Sequence, residues 1–314
     1  MIQLIYMIHP MANIVVTEFM DEKALARLAQ AHHVHFDPEL HRNPGAIKQA
    51  LSQADALIVR NLTKVTRDLV GAAPNLVAVG RLGVGLDNID LQACSDQKIR
   101  VYPATGANAD SVAEYVITNA ISLLRQFPRS HRLMMGQDPW PRAACSDGRE
   151  APGRVLGLVG FGDIGYRTAK LALALGFRVV AYDPTPKIKH PDVPLVELRT
   201  VLSQSDVISL HVPLTEQTRH LLNREAIQSL KPGCILINTS RGGIIDEVAL
   251  LEALEAGHLG GAAIDVFAEE PLKANSPLMA CENVVLTPHI AGVTQDSNQR
   301  VSDMIADLIL QHFA

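Results

Sequence analysis

The chain has 314 residues, 47% of them hydrophobic, 19% charged and only 4% aromatic, with a formal net charge of −5. That length exceeds one small core and suits two α/β domains, and the mild acidity excludes the basic footprint of a nucleic-acid or anionic-membrane binder. No apolar run reaches a membrane span, and Cys94, Cys145, Cys234 and Cys281 form no CxxC pair, as expected of reduced thiols in a cytoplasmic protein.

Residues 1–10 are apolar but lack a basic leader and a cleavage site, so a poorly ordered extension is expected there rather than a signal peptide. Beyond them, short aliphatic runs alternate with helical patterns, the signature of parallel sheets with crossover helices. The first third predicts strands at Asn13–Thr17, Val34–Asp37, Ala56–Arg60, Leu76–Gly80 and Arg100–Tyr102, with a helix over Asp21–Ala31. Asn108–Arg125 predicts a long, mostly apolar helix closed by Pro128. The Pro- and Gly-rich stretch Met134–Gly153, with Pro139 and the only tryptophan, Trp140, reads as a boundary. Six more strands follow at Val155–Val159, Arg178–Asp183, Val207–Val212, Cys234–Asn238, Gly261–Val266 and Asn283–Thr287. The tail Asp296–Phe313 has helical apolar spacing and is expected to pack back on the first domain. The fold class expected is α/β, with two doubly wound parallel-sheet domains. A Rossmann domain (residues 108–290) is inserted in a smaller, flavodoxin-like substrate domain (residues 1–107 and 291–314).

Gly160-Phe-Gly162-Asp163-Ile164-Gly165 follows the strand VLGLV and opens a helix over Ile164–Leu175. The first glycine permits a tight turn, the second lets backbone approach a pyrophosphate, and the third allows close helix packing at a helix N-terminus that favours anions. Asp183 stands at the end of the next strand, eighteen residues beyond Gly165. An acid there suits the ribose 2′-hydroxyl of NAD and repels the phosphate of NADP, although Asp183 also suits a simple turn before Pro184. NAD is the cofactor expected, bound through Gly160, Gly162, Asp163, Ile164, Gly165 and Asp183.

Seven segments in order carry a resemblance over nearly the whole chain: RLGVGLDNID (81–90), NADSVAE (108–114), the glycine loop, LHVPLT (210–215), TSRGGIIDE (239–247), DVFAEEP (265–271) and TPHIAG (287–292). Together they resemble the D-isomer-specific 2-hydroxyacid dehydrogenases. The resemblance implies a catalytic arginine, glutamate and histidine at Arg241, Glu270 and His289, each at or beyond the C-terminal end of a predicted strand, where open α/β sheets place ligands. Reducing a keto acid needs a proton donor beside its carbonyl oxygen, a task suited to histidine. A carboxylate bonded to that ring would hold it and favour the imidazolium, and an arginine fork suits a carboxylate and a developing alkoxide. The same resemblance places the backbone of Val84 and Gly85 at the substrate carboxylate, Asp265 at the nicotinamide carboxamide, Thr239 near the cofactor, and His211 and Pro213 beside the adenosine. For His211 a buried strand-end histidine stays an equal alternative.

Arg60 ends the strand ALIVR, in a setting similar to the 3-phosphoglycerate dehydrogenase branch, where an arginine serves the substrate. The opening VTEFMDE (16–22) is similar to sulfolactate dehydrogenases of the same family. A substrate with a second anionic group is therefore expected, against simple acids such as glyoxylate or hydroxypyruvate. Two other classes are weighed: formate dehydrogenases, which carry glutamine where Glu270 stands, and NAD-sensing corepressors, which keep the catalytic residues. His32, His33, His35 and His41 invite a metal reading, but only His33 and His35 would share a strand face and no acidic or cysteine partner completes a site; no metal is expected. The apolar helix 108–125 and the Trp140 region are expected to form a homodimer contact.

Overall fold

A computed structural model of the chain describes residues 11–136 and 140–314; the apolar extension 1–10 and Pro139 lie outside the described residues. The chain divides into two compact units, one made of Met1–Asn108 with Thr294–Ala314, the other of Ala109–Val293.

The first unit holds five strands: β1 (Asn13–Val16), β2 (His33–Phe36), β3 (Ala56–Val59), β4 (Ala78–Arg81) and β5 (Arg100–Pro103). They form one parallel sheet in the order β2-β1-β3-β4-β5, the flavodoxin-like winding. β3 is buried at all four positions because helices cover both faces of the sheet, and its continuous ALIV run is what such a strand requires. The tail forms the helix Gln295–His312, started by a capping box between Thr294 and Ser297. Its Ile305 and Ile309 join Ile58 and Ala78 in one core cluster, and Gly80 admits it closely: a Cβ there would lie 2.6 Å from the Ile305 side chain. This packing puts the last twenty-one residues in the first unit. His33 and His35 are exposed on the edge strand β2.

The second unit holds β6 (Val155–Val159), β7 (Arg178–Tyr182), β8 (Val207–Leu210), β9 (Cys234–Asn238), β10 (Leu259–Ile264) and β11 (Val284–Leu286), all parallel, in the order β11-β10-β9-β8-β6-β7. A parallel bridge from Ala181 to Leu195 adds a further position outside β7. The winding reverses between β6 and β8, where a doubly wound sheet opens a crevice.

Two expectations need correction. The helix Ala109–Leu124 is apolar because its own unit buries it: Val112, Val116, Ala120 and Leu123 pack into the core beneath the helix Asp163–Ala174 and beside β9 and β10. Its apolarity is thus no sign of an interface. Pro128 does not simply end that helix. Gln126 turns the chain in a left-handed conformation, and Pro128 then sits in the first turn of a new helix, Phe127–Met134, where its missing N–H costs nothing. The turn-rich stretch after it lies within the second unit, tied by Arg149 N–H to the Leu124 carbonyl and by its guanidinium to the Gly233 carbonyl. Among the described residues no helix is long and apolar enough to cross a membrane, and all four cysteines are free thiols.

Candidate active site

At the reversal point of the second sheet the glycine loop is built by steric exclusion. Gly160 has φ +99°, and a Cβ on it would run into the His211 carbonyl. A Cβ on Gly165 would lie 2.6 Å from the Gly160 carbonyl oxygen. Gly162, by contrast, meets nothing within 4 Å: its open side is where a ligand can approach the backbone. Gly162 is also the N-cap of the helix Asp163–Ala174 and supplies no side-chain cap, so the first-turn N–H groups and the positive helix end face outward. Asp163 and Ile164 form that first turn. Asp183 follows β7 and does two jobs: its Oδ2 accepts from Phe161 N–H (2.8 Å), bracing the glycine loop, and its Oδ1 accepts from Thr185 N–H (2.8 Å), making the turn before Pro184. Each oxygen keeps a lone pair for a ribose hydroxyl. These residues fit the pyrophosphate and ribose of NAD.

His211 and Pro213 follow β8. Both ring nitrogens of His211 are shut from solvent without a hydrogen-bond partner, and burial pushes the ring down to about 4, so it is neutral at physiological pH. Thr239 Oγ1 is likewise shielded and unpaired. Orphaned polar atoms beside a glycine cradle are compatible with a cofactor edge.

Arg241 lies in the loop after β9. Asn238, a buried residue that sequence reasoning missed, ends that strand and shapes the loop: its amide donates to the Arg241 carbonyl (2.9 Å) and its Oδ1 accepts from Ser240 N–H (3.1 Å). Its signal was an amide closing an otherwise aliphatic CILIN run. Ser240 Oγ donates to the Leu210 carbonyl (2.6 Å), tying the loop to β8. Gly242 then presses backbone to backbone on the next loop, and a Cβ on it would overlap the Phe267 carbonyl and the Ala268 nitrogen. Glu247 Oε1 accepts from Ala268 N–H (2.7 Å). The Arg241 loop and the turn carrying Glu270 are therefore held as one body.

Glu270 Oε1 accepts from Phe267 N–H (3.0 Å), while Oε2 pairs with His289 Nδ1 (2.9 Å). His289 has φ +58°, left-handed and uncommon for a side chain of this size. Asp265, buried just after β10, holds it there. One carboxylate oxygen accepts from Thr287 Oγ1 (2.5 Å) and Ile290 N–H (2.8 Å), the other from Ala291 N–H (2.8 Å). The Asp265 carbonyl accepts from His289 N–H (2.9 Å). Behind Thr287 stands Tyr115, whose hydroxyl lies 2.6 Å from Thr287 Oγ1 and which burial pushes up to about 12. Tyr115 stays protonated and donates to Thr287, which donates to Asp265. Because Nδ1 of His289 is engaged by Glu270, Nε2 is the nitrogen left to exchange a proton with a substrate.

The remaining candidates sit on the first unit. Val84 is exposed in the turn after β4 and Gly85 is half-buried. Arg60 follows β3, half-buried; its guanidinium donates to Asn298 Oδ1 (3.0 Å) and lies 6.0 Å from the Phe19 ring centre. Burial lowers the Arg60 pKa, against the nearby charge of Glu18. Gly242→Ala should leave the circular-dichroism spectrum native yet cut kcat/KM by about a hundredfold or more, since displacing a catalytic loop by an ångström has that scale of cost; steady-state kinetics within about threefold of wild type would show the two loops to be independent.

The model for the NAD binding domain of the D-isomer specific 2-hydroxyacid dehydrogenases matches residues 117–291. The chain is 48% identical over 302 residues to an (S)-sulfolactate dehydrogenase of Chromohalobacter salexigens, covering 95% of this chain and 97% of that one. It is 39% identical over 298 residues to a hydroxypyruvate reductase of Thermotoga maritima, covering 94% and 96%. D-3-phosphoglycerate dehydrogenases match as well, the chain spanning about half of their length. Among solved structures the TT0316 protein of Thermus thermophilus superposes with a TM-score of 0.86 at 34% identity, covering 95% of this chain and 96% of the other. The chain belongs to the D-isomer specific 2-hydroxyacid dehydrogenases, a family of NAD-dependent enzymes.

Proposed function

We propose that this dehydrogenase interconverts a 2-keto acid and its 2-hydroxy acid through Arg241, Glu270 and His289, and that its substrate carries a second anionic group such as a sulfonate or a phosphate. The observation that carries the chemistry is the 2.9 Å pair between Glu270 Oε2 and His289 Nδ1. NADH, when bound, supplies the hydride. His289 Nε2 hands a proton to the carbonyl oxygen during reduction and takes it back during oxidation, and the Glu270 carboxylate balances the imidazolium that this cycle requires. Arg241 offers its fork to the substrate carboxylate and the developing alkoxide. Asp265 keeps one lone pair on the oxygen bonded to Ala291 for the nicotinamide carboxamide, while Thr239, His211 and Pro213 border the cofactor. Asp183 selects NAD over NADP. Val84 and Gly85 hold the substrate carboxylate by their backbone N–H groups.

Arg60 takes the second anion in this reading, which the similarity to a sulfolactate dehydrogenase supports. A second reading also has support: Arg60 already bonds Asn298, as a structural cation would, and a hydroxypyruvate reductase is among the relatives. An NADH-oxidation screen over glyoxylate, hydroxypyruvate, phosphohydroxypyruvate and sulfopyruvate separates the two. Arg60→Ala should lower kcat/KM for the two-anion acids by about tenfold or more, the scale of a charge-assisted bond, and for glyoxylate by less than about threefold. Equal losses on both kinds of acid would sink the Arg60 assignment, and turnover of none would favour an NAD sensor over an enzyme.

We further infer a homodimer. Phe127, Met134, Met135 and Trp140 expose large apolar side chains within one unit, Met135 and Trp140 at 76% and 74%, and a concentration of such residues suits a protein contact. Light scattering at micromolar concentration should return twice the 34.0 kDa chain mass; a monomeric mass would refute the assembly.

A further inference from the structure

β1 and β3 are neighbours although β2 intervenes in sequence, so the winding of the first unit reverses between them, as it does between β6 and β8 in the second. At their C-terminal ends the chain leaves β1 through Thr17 and Glu18, and leaves β3 through the loop Arg60–Thr63. Glu18 is only 3% exposed, yet its side chain is a carboxylate. Four backbone N–H groups converge on it: Arg60 (2.9 Å) and Thr63 (2.9 Å) donate to Oε1, and Asn61 (3.1 Å) and Leu62 (2.9 Å) donate to Oε2. The carbonyl side of the loop is held too, because the Asn88 amide donates to the carbonyls of Arg60 (3.1 Å) and Thr63 (2.7 Å). Thr17 and Thr63 hydroxyls meet at 2.7 Å.

Thr63 anchors the end of this loop by burial, but its tip does not order itself that way: Asn61 and Leu62 are exposed, Leu62 at 56%. Its backbone is nonetheless bonded on both sides. Burial raises the Glu18 carboxyl pKa, but the N–H bonds from Thr63, Leu62 and Arg60 outweigh it and the net shift is downward, so Glu18 is charged at neutral pH. A buried carboxylate is costly unless saturated in this way. Such bonding in a loop with an exposed tip makes sense if something on it must be placed, and the residue it places is Arg60, whose guanidinium then reaches Asn298.

We propose that Glu18 is a positioning residue for substrate selection: by gathering four N–H groups of the Arg60–Thr63 loop it fixes where the Arg60 guanidinium meets the second anionic group of the substrate. This rests on the assignment of Arg60 made above. Glu18 does not touch substrate; it acts through the loop. Glu18→Gln keeps the shape but turns two of the four acceptor contacts into donor-against-donor contacts, whichever way the amide faces.

The experiment compares the full-length wild type, Glu18→Gln, Glu18→Asp, Arg60→Ala and the double variant Glu18→Gln/Arg60→Ala, with sulfopyruvate and glyoxylate as substrates. Glu18→Gln should raise KM for sulfopyruvate by about tenfold, leave kcat and the glyoxylate KM within about twofold, and add nothing in the Arg60→Ala background. Amide exchange over residues 60–63 should quicken in Glu18→Gln, and Glu18→Asp, which keeps the charge, should recover part of both effects. If Arg60→Ala discriminates between the acids but Glu18→Gln does not, or if the two effects multiply, the positioning role is overturned and the Arg60 assignment stands. If Arg60→Ala affects both acids alike, the assignment itself fails. Should Glu18→Gln not fold, the milder Glu18→Asp carries the same comparison, and an equal KM rise on both acids would overturn the proposal.

Discussion

The buried carboxylate of Asp265 is the constraint on which the proposed chemistry depends. A left-handed residue with a side chain costs about 1–2 kcal/mol, and His289 adopts that conformation because Asp265 takes the N–H groups of Ile290 and Ala291 and the Thr287 hydroxyl, while its carbonyl takes the His289 N–H. Bonds to a charged acceptor contribute about 1.5–3 kcal/mol each, so the strain is covered with room to spare. Removing that charge would release the turn, and with it the direction in which the imidazole points. Glu270 reaches His289 only because the turn presents Nδ1 to it, and Gly242 lets the Arg241 loop lie against the backbone that carries Glu270.

The two units solve the same topological problem with opposite signs. In each, the winding reverses between two neighbouring strands and the loops beyond their C-terminal ends gather backbone N–H groups. In the second unit those groups stay open, since Gly162 meets nothing and the helix start has no side-chain cap. They suit an external anion, the pyrophosphate of the cofactor. In the first unit the chain supplies its own anion, Glu18, and the N–H groups are consumed in holding a loop. One crevice leaves its N–H groups open to an anion, and the other spends them on its own carboxylate.

Much of this was legible from the residues in order. The central strands β3, β6, β8 and β9 fall on largely aliphatic runs bounded by turns, because parallel strands buried on both faces need such runs. The glycine loop was legible because each glycine is forced by a different clash or opening. The supporting residues were not, because their partners are far away in sequence: Tyr115 meets Thr287 across 172 positions, and Glu18 meets Arg60 across 42. Glu18 stands in the opening VTEFMDE with nothing local to say that four amides will close on it. The helix Ala109–Leu124 misled for a related reason. Apolarity tells that a face is covered but not by what, and here the cover is its own unit's core.

The most direct measurement is hydride transfer in His289→Asn, a replacement that tolerates the left-handed turn. In this variant kcat for keto-acid reduction should fall by about a hundredfold to ten-thousandfold, the span for losing a general acid, while the Kd for NADH by fluorescence titration stays within about threefold. Turnover close to wild type, or a loss of rate matched by a loss of NADH binding, would contradict the proton-transfer role given to His289.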